Sequence, residues 1–534
     1  MQKRQLSNSE SWTVLLLFSA ILFGGIVRAA PAALSDFPIH DGGMFYVMTG
    51  ELQANQYLLP ETTSYNHVQS PFAYPPLGFY LAGLINDVFR VDLLDLLRWF
   101  PAVVSILAIA AFYLLARAML GSAPQAALAS LFFALVPRSI SWFLMGGGLT
   151  RTLGQLFLLL TVYSVFMCFA RRSRRHIWLA ILFGGLVCLS HPESIIHTGA
   201  PSLLIVLFYG RSRKDVFDAL AIIAGVLLVS SPWWGTVLLR DGVAPFRAAL
   251  EAGGHNPFFW LEILVPSFAE EGAVTVLTVL GLIGLGVELA RRRTFLPLWL
   301  ILPFFIEPRS ASAIAIFPLA LLASISFSEL VLPGLMTFLG GARLSGAWSE
   351  QGMKNNLLRV AIGYVVVLML IGSLRLSLGL ANFHLTAEDR TAITWVHNNT
   401  PRNGRFLLIT GSSQPLGDPL QEWFPALSGR ESLSTIQGLE WREDISFATR
   451  MQELISLQAC ANREANCLHS WATRNDLDFE YVLVERYKLS ASLRGNVVPE
   501  VDGLLLASLR NNTDYQVIYE TDSIVIFFRK ASPP

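Results

Sequence analysis

Residues 35–59, SDFPIHDGGMFYVMTGELQANQYLL, and residues 70–81, SPFAYPPLGFYL, decide how this chain is read. They follow a first apolar segment and precede a long series of others. Together they hold two carboxylates, Asp36 and Asp41, between apolar flanks. The Gly42-Gly43 pair after Asp41 lets the backbone bend sharply or approach another group closely. Phe45, Tyr46, Phe72, Tyr74, Phe79 and Tyr80, with a Tyr-Pro-Pro-Leu turn, surround the acids. The stretch reads as a reactive floor at a membrane–water boundary, with Asp41 as its working group.

Composition points the same way. The 534 residues are 53% hydrophobic and 15% charged, with a mean hydropathy of +0.50. Soluble domains carry about 25% charged residues, so this is a polytopic membrane protein. A net charge of zero argues against a nucleic-acid partner reached through bulk electrostatics. Four cysteines are too few for a disulfide scaffold. Cys168 and Cys188 lie in apolar runs, whereas Cys460 and Cys467 lie in a polar region and can pair in an oxidising compartment.

Lys3 and Arg4 precede an apolar run from Trp12 to Val27, which Arg28 and AAPAAL follow. That pattern suits either an uncleaved anchor or a secretory signal. Basic clusters at Arg171–His176, Arg211–Lys214 and Arg291–Arg293 are expected on the cytoplasmic side. Spans near 99–117, 124–137, 151–170, 177–190, 195–209, 216–237, 270–290, 295–306, 311–332 and 356–378 satisfy that rule. With the first run they make about eleven crossings, placing the N-terminus inside and the C-terminus outside. The stretch PPLGFYLAGLINDVF is too short to cross and is read as an interfacial helix. The expected fold is mainly α: a membrane domain over 1–380, its outer loop 30–98 holding the acidic motif. A soluble extracytoplasmic α/β domain over 381–534 follows. There Thr386 and Asp389 form a capping-box pattern, 405–410 and 481–485 read as strands, and 515–519 with 523–528 read as a hairpin.

A charge near membrane depth costs about 2.5–3.5 kcal/mol and so needs a reason. The expected outer loops gather Asp36, Asp41, Arg138, Arg151, His191, Glu193, Glu307 and Arg309. In PRSISWFLMGGGLTR, three glycines expose amides between Arg138 and Arg151, a pattern suited to a phosphate. His191-Pro192-Glu193 reads as the start of a helix or as a donor or metal ligand pair. Glu307-Pro308-Arg309 reads as a local ion pair holding a turn or as a source of a cation for a leaving group. Asp41 itself suits the N-cap of a helix, and an ionised aspartate can also act as a general base. In 422–430 and 436–441, Trp423, Phe424 and Trp441 read as core; beside Glu422, Arg430 and Glu440, a platform for a sugar or acceptor is the other reading.

DGGMFY (41–46) and YPPLGFY (74–80), supported by GGGLTR (146–151) and HPE (191–193), resemble the GT-C superfamily of integral-membrane glycosyltransferases. The nearest branch is that of protein O-mannosyltransferases and aminoarabinose transferases. Two positions depart from its pattern: Gly42 stands where a second carboxylate is common, and Tyr74 where a basic residue often precedes Pro-Pro-Leu. The resemblance implies a polyprenyl-phosphate-linked sugar donor and transfer with inversion to an acceptor (protein, lipid or glycan) on the outer face of the cell membrane. Asp41, with Asp36 as second candidate, would be the base. Arg138, Arg151 and Arg309 would hold the donor phosphate, and Tyr46, Tyr74, His191 and Glu193 would line the substrate site. A divalent ion, Mg or Mn, is compatible with that chemistry, though the residues specify no metal site. The alternatives are a multi-span transporter or flippase, and a non-catalytic membrane scaffold. A transporter would be expected to show repeated halves, which this sequence lacks.

Overall fold

The computed structural model describes residues 7–253, 275–338, 347–486 and 503–530. After α1 (Asn8–Leu34) come α2 (Gly43–Ala54), the paired strands β1 (Thr62–Thr63) and β2 (Ser70–Pro71), and α3 (Leu77–Phe89). The apolar series is α4 (Leu93–Leu120), α5 (Ala123–Ala134), α6 (Ser141–Leu144), α7 (Gly148–Phe169), α8 (Arg175–Cys188), α9 (Pro192–Tyr209) and α10 (Arg213–Asp241). It continues with α11 (Ala244–Ala252), α12 (Val276–Ala290), α13 (Phe295–Ile306), α14 (Ala311–Ser326), α15 (Leu332–Phe338), α16 (Glu350–Lys354) and α17 (Asn356–Leu380).

Each expected span falls on one of these helices, although residues 270–274 lie outside the described residues, as do Lys3 and Arg4. Among the described residues, six helices are long and apolar enough to cross a membrane. A seventh is possible if α5 and the 137–144 segment, bent by 82°, make one broken span. Eleven crossings were expected from sequence; by length and apolarity six helices, or seven with the bent pair, qualify among the described residues, while α8, α12 and α13 are apolar but short. The protein is a multi-pass membrane protein. Val216, Phe217, Leu220, Ile223 and Leu228 on α10 face outward, as lipid contact requires.

The first span does not stop at Val27. Helix α1 runs on to Leu34 with Pro31 inside it, and Arg28 is fully buried among α1, α4 and α5. Its guanidinium donates to Ser105 Oγ (2.9 Å), Ser139 Oγ (3.0 Å) and the carbonyls of Gly24 (3.2 Å) and Ala134 (2.6 Å). Ala134 ends α5, so Arg28 caps orphan carbonyls where that helix breaks. The helix does not end at this charge because its donors are satisfied internally.

The polar C-terminal region holds α18 (Ala387–Asn399), β3 (Arg405–Ile409), α19 (Pro419–Ser428), β4 (Glu431–Ser432), α20 (Phe447–Gln458), α21 (Asn466–Arg474), β5 (Tyr481–Glu485), α22 (Leu504–Asn511), β6 (Tyr515–Glu520) and β7 (Ile524–Arg529). The Thr386–Asp389 capping box is present. The sheet order is β4-β3-β5-β7-β6, parallel over the first three strands and antiparallel over the last two. Side chains alternate across it. Leu407, Ile409, Val482 and Val484 meet α20–α22, and Cys460 pairs with Cys467 on that side. Phe406, Leu408, Tyr481 and Leu483 face the other way, into a core shared with α18, α19 and outer-loop residues Phe37, Phe45, Tyr65 and Phe72. The loop thus lies against the sheet domain, and Asp41 lies beneath it.

Candidate active site

The chain enters the site through His40, whose backbone is left-handed (φ 60°), and leaves through Gly42 at φ 131°, which favours glycine. His40 N–H donates to the Phe383 carbonyl (2.7 Å), and Gly146 N–H donates to the Ile39 carbonyl (2.8 Å). The C-terminal sheet domain adds two clamps. Trp423 Nε1 donates to the His40 carbonyl (3.0 Å), and Gly42 N–H donates to Glu422 Oε1 (2.8 Å). Asp41 is therefore held on both sides by backbone contacts.

Asp41 is not the N-cap of α2. Gly42 occupies that position without a side-chain bond, which leaves the carboxylate for the cleft. Its Oδ1 accepts from Gly147 N–H (3.0 Å), and its Oδ2 pairs with Arg151. Arg151 stacks on the Trp142 ring (4.0 Å to the centroid) and donates to the Trp142 carbonyl (3.1 Å). The glycines leave room for this arrangement. A Cβ on Gly147 would crowd the Asp41 carboxylate and come within 2.7 Å of the Arg151 guanidinium, while one on Gly146 would meet the Asp41 carbonyl.

The other sequence candidates are distributed unevenly. Tyr74 packs edge-on to Phe45 (4.9 Å) and Trp441 (5.6 Å), lies 6.3 Å from the His191 ring, and its hydroxyl is 3.3 Å from Thr150 Oγ1. Burial pushes the pKa of its hydroxyl above the usual tyrosine value. Tyr46 lies 6.1 Å from Trp423. His191 is the N-cap of α9, with Pro192 and Glu193 in the first turn, so the helix-start reading describes its local geometry. Arg309 reaches Glu193 (3.8 Å), and both arginines, 151 and 309, act electrostatically on His191 and Glu193. Arg138 donates to Ser312 Oγ (3.1 Å), on the helix that follows the Arg309 turn.

Two expectations need correction. Glu307 does not pair with Arg309. Its Oε2 accepts from Ser310 N–H (3.0 Å), Ser310 Oγ (2.5 Å) and His197 Nε2 (3.2 Å), closing the turn and tying it to α9. Arg309 is thereby turned outward to Glu193. Asp36 does not share the Asp41 cleft: its exposed carboxylate binds Arg390 (2.6 Å) and lies 3.3 Å from His384. Its role there is to tie the loop to the outer domain.

Sequence reasoning missed His197 and named Glu422 only as a flank of a possible sugar platform, not as a neighbour of Asp41. Glu422 is 4% exposed, and its carbonyl accepts from the Tyr65 hydroxyl (2.7 Å). Burial and the nearby Asp41 charge push its carboxyl up to about 8. Directly after Asp41, the Gly42 N–H is thus bonded to a carboxyl group supplied by α19. Among the described residues, no group of three or more His, Cys, Asp or Glu side chains is placed to hold a metal, and both oxygens of Asp41 are engaged. The site residues do not fit a divalent ion.

Residues 73–235 match the family model for dolichyl-phosphate-mannose-protein mannosyltransferase. Three solved structures are similar over most of the chain. The ArnT of Cupriavidus metallidurans, solved bound to undecaprenyl phosphate, is 13% identical over 98% of both chains, with a TM-score of 0.55. The Archaeoglobus fulgidus oligosaccharyltransferase, solved with Zn and sulfate, is 16% identical over 88% of this chain and 68% of that one, at 0.51. Mycobacterial arabinofuranosyltransferase AftD is 14% identical over 99% of this chain and 40% of that one, at 0.55. Curated protein sequences give no match. The chain shares its fold with these three structures, in keeping with the resemblance carried by the DGGMFY and YPPLGFY segments.

Proposed function

We propose that this protein is a membrane glycosyltransferase that moves a sugar from a polyprenyl-phosphate-linked donor to an acceptor on the outer face, with inversion. The observation that carries the reading is the Asp41 carboxylate held against Arg151 by the Gly146-Gly147 backbone, beneath the outer domain. Asp41 takes the proton of an acceptor hydroxyl as that oxygen bonds to the anomeric carbon. The bond from that carbon to the phosphate oxygen breaks, and its electron pair leaves on the lipid phosphate. Arg309 and Arg151, with Arg138 behind them, offset the charge that develops there. A donor phosphate competes with Asp41 for Arg151, which frees the carboxylate for the acceptor proton. Tyr46, Tyr74, His191 and Glu193 line the route to the anomeric carbon.

The orientation follows from the basic turns. Arg172 bonds to Asp215 (2.6 Å) and to the Tyr209 carbonyl (2.9 Å), so the turns before α8 and α10 meet at one end of the bundle. They lie at the far end of α7 from Arg151, which supports a cytoplasmic position for them and an extracytoplasmic one for Asp41. The Cys460–Cys467 disulfide supports an oxidising surrounding for the outer domain. Sugar transfer from a polyprenyl-phosphate-linked donor by the full-length protein in vesicles tests the reading.

A further inference from the structure

We propose that Glu422 is a positioning residue: it stands beside Asp41 as a neutral carboxylic acid and holds the Gly42-Gly43 elbow that presents Asp41 to the cleft. Its catalytic consequence rests on the reading of Asp41 as the proton acceptor; its protonation state rests on geometry.

Helix α19 meets the elbow closely. Glu422 Oε1 accepts the Gly42 N–H, and a Cβ on Gly43 would stand 2.7 Å from the Glu422 carbonyl oxygen. The next residue, Trp423, holds the His40 carbonyl, so α19 grips the chain on each side of Asp41. The groups that face the Glu422 carboxyl are Asp41 from the loop, Arg151 from α7, Tyr65 from the outer loop, and Gln437 and Glu440 from the 436–441 segment. Arg151 is the only cation in that set, and it is already paired with Asp41. Among the described residues no salt bridge reaches Glu422. A buried carboxylate between two other acids, without a cation of its own, takes up a proton.

Gln437 supplies no counter-charge. Its Nε2 donates to Glu422 Oε2 (3.2 Å). Glu422 thus accepts from the neutral Gly42 N–H with one oxygen and from a neutral amide with the other, and neither contact offers it a cation. Ionisation would set a second negative charge beside Asp41 without a cation of its own.

The test compares Glu422→Gln and Glu422→Ala with wild type, all as full-length protein in nanodiscs. Glutamine is a neutral side chain of the same length whose oxygen can still accept from Gly42. Because the folded value near 8 lies above the ordinary carboxyl value near 4.5, the stability held by the proton is full at low pH and is lost as pH rises. The thermal midpoint of wild type minus that of Glu422→Gln is therefore expected to fall from pH 5 to pH 8 and then level off. In transfer assays, kcat of wild type should decline above about pH 8 and that of Glu422→Gln should not. Glu422→Ala should lose about 10- to 100-fold in kcat at pH 7 with KM changed far less, since Asp41 loses its support. A midpoint difference flat across pH, or a Glu422→Gln loss equal to that of Glu422→Ala, would overturn the proposal. If no form transfers sugar, the transferase reading falls while the midpoint difference still decides the proton.

Discussion

Asp41 and Arg151 pair across a sequence separation of 110 residues, and the pair stands where α7 begins, over the Gly146-Gly147 backbone. Stacking on Trp142 fixes the guanidinium plane, so the carboxylate meets a cation of set orientation. The side chains are 16% and 11% exposed, so the pair is largely buried with some contact to solvent.

Gly147→Ala tests that geometry without touching either charge. Its Cβ would crowd the Asp41 carboxylate and Arg151. Because a misplacement of about 1 Å can cost on the order of 100-fold, transfer should fall steeply while the thermal midpoint moves little. Initial rates and a melting curve on the same sample check it. Retained transfer with normal kinetics would show that the glycine is not needed for the pair.

Arg309 reaches Glu193 at 3.8 Å and is 36% exposed, so it is available to an anion. Arg309→Ala is expected to raise KM for a polyprenyl-phosphate donor by about tenfold, the loss of about 1.4 kcal/mol of charge-assisted binding, with a smaller effect on kcat. An unaltered KM would remove Arg309 from the donor site.

Asp36 yields a pH prediction. The Arg390 hydrogen bond holds its carboxyl below the usual range, so its stability contribution is present above about pH 4 and lost as pH falls through the folded value. The side chain is 61% exposed, which limits the effect to about 0–1 kcal/mol. The thermal midpoint of wild type should exceed that of Asp36→Asn slightly at pH 6, and the gap should close below pH 4. A constant gap would mean that the Arg390 contact adds no charge-dependent stability.

The helices were legible because long apolar runs leave few alternatives, and β5 because YVLVE is β-rich and bounded by polar residues. The sheet order was not legible, since pairing β3 with β5 joins segments some seventy residues apart and no local pattern encodes it. Asp41 was singled out in the sequence through its glycines, yet its partner Arg151 was fixed only by the fold. Glu422 was read only as a flank of Trp423, and nothing local in the sequence joined it to Asp41. The available signal was Gly42-Gly43 itself, which calls for a close neighbour. His197 was hidden as a lone histidine in an apolar helix, although a titratable group there demands a partner, and Glu307 is that partner. Arg28 was taken as a flank because a charge usually ends an apolar run; here Ser105, Ser139 and two carbonyls satisfy it inside the bundle.

The most direct measurement is transfer of a radiolabelled sugar from a polyprenyl-phosphate-linked donor by wild type and Asp41→Asn, each purified full-length and reconstituted in vesicles. Wild type should label an acceptor. Asp41→Asn, with an unchanged elution profile, should be slower by about 100- to 10,000-fold, the usual contribution of a general base. Labelling by Asp41→Asn at the wild-type rate would contradict the account.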